Sequence, residues 1–221
     1  MLKHILFDND GTLVDSEIIA VRGTLNVLRR LGFEMSEREF SQHFPGLLER
    51  DIAAILTRDH GVQIPHNYFE LLKDEHRHAF QHELRAIPGM TGLFRRIRLP
   101  KSMVSNASVE HVEHCLRKVR LHNALDGHIF SAQHVAQPKP QPDVYLFALE
   151  KLKLRPADTL VVEDSPVGVR AAKQAGLRAV GFLGAAHIHD GHEERLRDAG
   201  ADFIASDAKA LGQLLGGMGA F

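Results

Sequence analysis

Asp158-Thr159-Leu160-Val161-Val162-Glu163-Asp164-Ser165-Pro166 is the stretch on which the fold turns. Its apolar centre is short and bounded, as expected of a buried strand, and it delivers two acids at its carboxyl end. Ser165 offers a side-chain acceptor to the open N–H groups of a helix start. Pro166 suits the first helical position, where its missing N–H costs nothing. Val169, Ala172 and Lys173 continue that helix, Gly176 stops it, and Leu177 to Phe182 reads as the next strand. Strand, helix and strand in this order make a parallel crossover unit.

The same alternation extends to both sides. His4-Ile5-Leu6-Phe7 is an apolar run ending in Asp8-Asn9-Asp10-Gly11, and Lys101 to Val104 leads into Ser105-Asn106. Ser108 can open a helix carrying Val109, Val112, Cys115, Leu116 and Val119. Gly127 to Phe130 is a further strand candidate, and Pro142 fits the first turn of a helix with Val144, Leu146, Phe147 and Leu149 as its apolar positions. Asp202 to Ala205 precedes a leucine-rich final helix. Between Ser16 and Ile87 the pattern is different. From Glu17 a helical spacing places Ala20, Thr24, Val27, Leu28 and Leu31 on one face, with Gly32 as the stop. Ser36 and Glu39 form a capping-box pattern before Phe40 and Phe44, and helices are expected over Leu48 to His60 and Pro65 to Gln81. Pro88-Gly89 closes the interval. The expectation is an α/β protein: a parallel sheet flanked by helices, built from residues 1–15 and 88–221, with 16–87 inserted as an α-helical cap.

Composition excludes several classes. A chain of 221 residues that is 44% hydrophobic can bury a substantial core. Its 27 Lys+Arg nearly balance 28 Asp+Glu without a long basic block, which argues against a nucleic-acid channel or an electrostatically attracted membrane surface. Cys115 is the only cysteine, so no intramolecular disulfide can form, and its periodic context reads as packing. No apolar run is long enough to span a bilayer, and the start MLKHILFDNDGTL turns acidic too soon for a secretory signal. A cytoplasmic location is the default expectation, with no obligate protein partner indicated. Neither His76-Arg77-His78 nor His187-Ile188-His189-Asp190-Gly191-His192 has a strong zinc spacing, and both read as solvated. Gly216-Gly217-Met218-Gly219 reads as a flexible tail and lacks the context of a phosphate-binding loop.

The polar residues at the candidate strand ends carry the chemistry. If Asp8 and Asp10 project from the first strand, one carboxylate can attack phosphorus while the other manages a proton; an Asp/Gly turn is the competing use of this short pattern. Asp164, with Glu163 directly or through water, can ligate a hard divalent ion, or the pair can be a solvated loop. Ser105 and Asn106 can donate to phosphoryl oxygens or cap a helix start. Lys139, between Pro138 and Pro140, can clamp a phosphate or stand on an exposed turn.

Taken in order, Phe7–Glu17, Val104–Ser108, Lys139–Tyr145 and Val161–Gly176 (FDNDGTLVDSE, VSNAS, KPQPDVY and VVEDSPVGVRAAKQAG) resemble the haloacid-dehalogenase-like hydrolase superfamily, in particular its phosphatase and β-phosphoglucomutase-like members with an inserted helical cap. The resemblance implies a Rossmann-like sheet with the active site at the carboxyl ends of its strands. It implies Asp8 as covalent nucleophile, Asp10 as general acid/base, Ser105 and Asn106 toward phosphate, and Lys139 against Asp8 and phosphate. A magnesium ion would be held by Asp8, the Asp10 backbone carbonyl and Asp164, with Glu163 nearby. The expected reaction is magnesium-dependent hydrolysis of a small phosphorylated metabolite, a sugar phosphate or phosphogluconate-like acid, through an aspartyl-phosphate. Dehalogenases of the superfamily typically lack the second aspartate, so Asp10 speaks for phosphorus chemistry. Phosphonate-cleaving members need a cap lysine, and Lys73, the only lysine from 16 to 86, sits in a helical-surface context. Sugar-phosphate mutases are the nearer alternative, but they carry a histidine early in the cap where this chain has Ser16-Glu17-Ile18-Ile19-Ala20. A noncatalytic metabolite-binding protein is the third reading. Arg50, ending Pro45-Gly46-Leu47-Leu48-Glu49-Arg50, is a candidate contact for a substrate anion.

Overall fold

A computed structural model describes residues 1–44, 47 and 49–221. In chain order the elements are β1 (His4–Phe7), α1 (Ser16–Arg30), α2 (Glu37–His43), α3 (Glu49–His60), α4 (Tyr68–Glu83), α5 (Met90–Arg96), β2 (Lys101–Ser105), α6 (Val109–Lys118), β3 (Ile129–Ser131), α7 (Asp143–Leu152), β4 (Thr159–Glu163), α8 (Pro166–Gln174), β5 (Arg178–Phe182), α9 (His192–Asp198), β6 (Phe203–Ala205) and α10 (Ala208–Gly217).

Among the described residues six strands form one sheet in the order β3-β2-β1-β4-β5-β6, parallel at every pairing. All four residues of β1 and all five of β4 are buried although successive side chains face opposite sides, so both faces of the sheet centre are covered. The chain steps outward from β1 to β3, then returns past β1 to β4. That reversal opens a crevice beyond the carboxyl ends of β1 and β4, where ligands bind in sheets of this Rossmann-like type. Phe7 pairs with Met103 on one side and Val162 on the other. Register therefore brings the residues after β1 level with the ends of β2 and β4.

The chain divides into two compact units, Met1–Asp15 with Arg85–Phe221, and Ser16–Leu84. Residues 85–87, grouped on the sequence with the helical interval, pair with 13–15. The Asp15 N–H donates to the Arg85 carbonyl at 3.0 Å, the Ile87 N–H donates to the Leu13 carbonyl at 3.0 Å, and Val14 bridges Ala86 antiparallel. The second unit packs α1 to α4 around Leu25, Leu28, Phe40, Leu56, Tyr68 and Leu72. Gly23 lets α1 approach His76 of α4, whose ring a Cβ there would strike, and Thr24 Oγ1 meets His76 Nε2 at 3.1 Å. The capping box at Ser36 and Glu39 is formed.

Several expectations shift. The start of α3 expected at Leu48 lies outside the described residues. The helix α4 begins at Tyr68, not Pro65, because residues 65–67 form a turn closed by the Tyr68 N–H on the Pro65 carbonyl at 3.0 Å. Leu146 of α7 faces outward at 48% exposure, while Tyr145 and Ala148 are buried. The helices α5 and α9 have no signature in the sequence, because at seven residues each they are too short to display a periodic stripe. The glycine-rich tail is docked: Gly216 and Gly217 end α10, and the buried Ala220 accepts from the Arg98 N–H at 2.8 Å. Main-chain pairing holds this tail, and composition carries no signal for it. Among the described residues no helix is long and apolar enough to cross a membrane.

Candidate active site

Asp8 leaves the end of β1 with its N–H still bonded to the Val162 carbonyl at 3.0 Å, so its backbone belongs to the sheet. Its carboxylate is nearly buried and accepts from Lys139 Nζ at 2.7 Å. Lys139 reaches it from the loop before α7 and spends its other two donors on Glu163 Oε1 at 2.6 Å and the Val104 carbonyl at 2.7 Å. All three N–H groups of the buried ammonium are thereby met. The Asn106 amide fixes the base of this lysine: its Nδ2 donates to the Lys139 carbonyl at 3.1 Å and its Oδ1 accepts from the Lys139 N–H at 2.9 Å.

Glu163, at the end of β4, is occupied on both oxygens. Oε1 accepts from Lys139 and from the Tyr145 hydroxyl at 3.0 Å, and Oε2 accepts from the Ser165 N–H at 3.3 Å and hydroxyl at 3.0 Å. One carboxylate oxygen each from Asp8, Glu163 and Asp164 lies within 4.8 Å of the others. Asp164, the residue after β4, is buried, and Thr12 Oγ1 donates to its Oδ1 at 3.3 Å. Gly11, at φ 75°, allows the close approach of the first loop, since a Cβ there would run into the Asp164 carboxylate. Four protein donors on Glu163 suit it to holding Lys139 more than to direct coordination, and Asp8 and Asp164 offer the oxygen donors a hard cation prefers.

The electrostatics follow from burial. Two carboxylates at 2.7 Å or less hold the Lys139 ammonium above its ordinary range, outweighing the burial that alone would lower it. Burial pushes the Asp8 carboxyl well up, Lys139 opposes that shift, and Glu163 and Asp10 reinforce it. A divalent cation at Asp8 would draw it down again, so charge at Asp8 is balanced between burial and cations.

Ser105 closes β2 and is buried, with its Oγ accepting from the Ala107 N–H at 3.0 Å. Asp10 is half-buried and its Oδ1 meets His111 Nε2 at 3.0 Å, a pairing that, with Cys115, pushes the imidazole up to about 10. Arg50 lies on α3 in the second unit, strongly exposed and 3.6 Å from Asp51. The structure thus brings Asp8, Lys139, Glu163 and Asp164 together and adds His111, Tyr145, His187 and His192, which the sequence reading did not assign. His192 Nε2 donates to the Asp164 carbonyl at 2.6 Å, and His187 Nε2 stands 3.4 Å from Asp164 Oδ2. Burial lowers both imidazoles, that of His187 to about 4. A usable signal existed: the segment from 183 to 191 follows β5 and so emerges at the same carboxyl edge as Asp8.

Gly168 gives this centre its sharpest packing constraint. A Cβ at that position in the first turn of α8 would collide with both Glu163 oxygens. Gly168→Ala is expected to displace Glu163, loosen Lys139 and lower kcat by roughly 100-fold, the scale of an ångström-level misplacement. Steady-state rates on a variant with native circular dichroism check this, and a parent-like kcat would show that Glu163 placement is unimportant.

Sheet order and acid–lysine cluster together define a Rossmann-like protein with that cluster at the topological switch point. The chain belongs to the haloacid dehalogenase-like hydrolase family, whose profile matches residues 5–182. It is 27% identical over 187 residues to the 6-phosphogluconate phosphatase of Escherichia coli K12, covering 84% of this chain and 85% of that one. A solved family hydrolase from Deinococcus radiodurans R1, with bound phosphate and sodium, superposes with a TM-score of 0.91 at 28% identity, over 100% of this chain and 97% of the other. A Thermotoga maritima protein provisionally assigned as a β-phosphoglucomutase gives 0.80 at 26% identity over 96% and 98% of the two chains.

Proposed function

We propose that this chain is a magnesium-dependent phosphatase acting in the cytoplasm on a small phosphorylated metabolite, a sugar phosphate or phosphogluconate-like acid, through an aspartyl-phosphate on Asp8. The observation that carries the proposal is the placement of Asp8 at the β1/β4 switch point, with Lys139 at 2.7 Å and Asp164 alongside. Asp8 and Asp164, with the Asp10 backbone carbonyl, would hold Mg2+, and their all-oxygen chemistry fits that ion. When bound, it would compensate the repulsion between the Asp8 carboxylate and the phosphate.

In this reading Asp8 attacks phosphorus while Asp10 protonates the leaving oxygen of the substrate. Asp10 then takes a proton from water, which cleaves the acyl phosphate. Lys139 and the Ser105 hydroxyl stabilise charge on the transferring group, and Asn106 keeps Lys139 in place. The helical unit from Ser16 to Leu84 serves as the cap, with Arg50 as its contact for a substrate anion. The Escherichia coli relative's name supports a phosphogluconate-like substrate, and the bound phosphate of the Deinococcus structure supports a phosphate subsite.

The Thermotoga neighbour favours a second reading, transfer of the phosphoryl group from Asp8 to a sugar. A phosphate-release screen over sugar phosphates, phosphogluconate, phosphoglycolate and polyol phosphates, with and without Mg2+, separates the two. Equimolar phosphate release that needs Mg2+ is expected. Phosphosugar isomerisation without comparable phosphate loss would move the assignment to a mutase, and tight binding without turnover would remove enzymatic activity altogether.

A further inference from the structure

We propose that Asp10, His111 and Cys115 form a second cation site, selective for a thiophilic divalent ion of the Zn2+ type, and that occupancy of this site takes Asp10 out of the reaction. The inhibitory half of the proposal rests on the reading of Asp10 as acid/base; the binding half does not. His111 and Cys115 stand four residues apart on α6, so their side chains share a face. The loop after β1 brings Asp10 to that face. His111 Nε2 lies 3.0 Å from Asp10 Oδ1 and 3.5 Å from Cys115 Sγ, and one donor atom from each residue lies within 4.8 Å of the other two.

These separations are those of a ligand set before metal entry. A tetrahedral zinc with bonds of about 2.0 Å to oxygen and nitrogen and about 2.3 Å to sulfur holds its ligand atoms roughly 3.3–3.6 Å apart. To admit such an ion Asp10 Oδ1 and His111 Nε2 part slightly from 3.0 Å, while Asp10 and Cys115, whose donor atoms lie within 4.8 Å, close on it. The cation would lie between Asp10 Oδ1 and His111 Nε2, which stand in direct contact at 3.0 Å. Side-chain exposures of 23% for Asp10 and 32% for His111 leave an approach from solvent and room for water as a fourth ligand, while Cys115 is buried behind them.

Donor chemistry keeps the two sites apart. Oxygen, nitrogen and sulfur in one set favour zinc, cobalt or copper over magnesium, whereas Asp8 and Asp164 offer oxygen alone. Saturating Mg2+ would therefore fill the catalytic site without protecting Asp10. Zinc at low concentration would act as a brake on the enzyme at its proton-transfer residue.

The test uses the full chain in excess Mg2+, titrated with Co2+ and followed in the near-ultraviolet for thiolate-to-cobalt charge transfer, then with Zn2+ while phosphate release is measured. One equivalent of Co2+ is expected to produce the charge-transfer band in the parent and none in Cys115→Ala or Cys115→Ser. Micromolar Zn2+ is expected to slow the parent at least tenfold relative to its own zinc-free rate, with the concentration for half-inhibition rising at least tenfold in either cysteine variant. Two cysteine variants guard against a packing defect in one, and a thermal melt of each reports folding. Absence of the band in the parent, or zinc inhibition that is present and equally strong in parent and cysteine variants, overturns the site. A cobalt–thiolate band accompanied by undiminished turnover would leave the site standing and remove Asp10 from its acid/base role.

Discussion

Asp8→Asn is expected to abolish turnover and leave the protein folded. The amide keeps the shape of the carboxylate and an oxygen that can accept from Lys139 Nζ, now at 2.7 Å from Asp8 Oδ1, while Glu163 continues to neutralise the ammonium at 2.6 Å. What it loses is the anionic oxygen that would bond to phosphorus. Nucleophile removal in enzymes whose catalytic groups act as a unit costs on the order of 10⁴ to 10⁶ in kcat, so residual activity should fall to background. Two measurements are needed, because a slow enzyme and an enzyme without a covalent intermediate differ. Phosphate release gives the rate, and intact-mass analysis after acid quench gives the phosphorylated fraction. The parent should show a labile phosphoryl adduct during turnover, and Asp8→Asn none. A variant that forms the adduct, or that turns over within tenfold of the parent, would place the nucleophile elsewhere. Asp10→Asn makes a useful contrast, since it should still accept phosphate onto Asp8 while slowing both protonation of the leaving group and attack by water.

The separate visibility of these two aspartates in the sequence has a physical cause. Parallel sheets put their reactive groups at strand ends, and a strand end announces itself as an apolar run that stops in polar residues. Asp8, Ser105 and Asp164 each follow such a run, so the elements that carry them and their common edge could be read locally. Lys139 has no strand of its own; its flanking prolines mark it as a phosphate clamp or an exposed turn lysine without saying which, and its bonds span 131 residues to Asp8 and 24 to Glu163. Contacts of that separation leave no periodic trace. Tyr145 and His111 were hidden for another reason. Neither belongs to the apolar positions that mark its helix, and only the sheet shows that one turn of α7 delivers a hydroxyl to Glu163 and one turn of α6 delivers an imidazole to Asp10. The sequence hides His187 and His192 because a loop rich in histidine, glycine and aspartate has a solvated composition. Burial against Asp164 comes from where β5 ends, not from the residues themselves.

Lys139→Met is expected to damage stability as well as activity, and its pH dependence identifies the cause. In the parent the ammonium is 3% exposed and bridges two carboxylates that are 11% and 1% exposed. Methionine nearly matches the volume of the side chain but leaves Asp8 and Glu163 facing each other without a cation. Removing one partner of a buried ion cluster costs about 3–5 kcal/mol, because the remaining charge must either stay unpaired or take up a proton. Burial already pushes the Asp8 carboxyl well up against the pull of Lys139, so without that ammonium Asp8 takes up a proton more readily and its pKa in the folded variant rises further above that in the unfolded chain. A carboxyl raised on folding contributes its stability only while protonated, below its unfolded pKa, and that contribution is lost as pH rises through the folded value. The variant should therefore approach the parent in stability in weak acid and fall progressively below it toward pH 8. Urea unfolding at several pH values measures this directly. The double variant Lys139→Met/Glu163→Gln removes one of the two opposed charges, and it should recover part of the stability with no recovery of phosphate release. A single variant whose deficit is the same at every pH would mean that lost packing, not the unpaired carboxylates, sets the cost. Lys139 would then be a filler beside Asp8, not the cation that balances it.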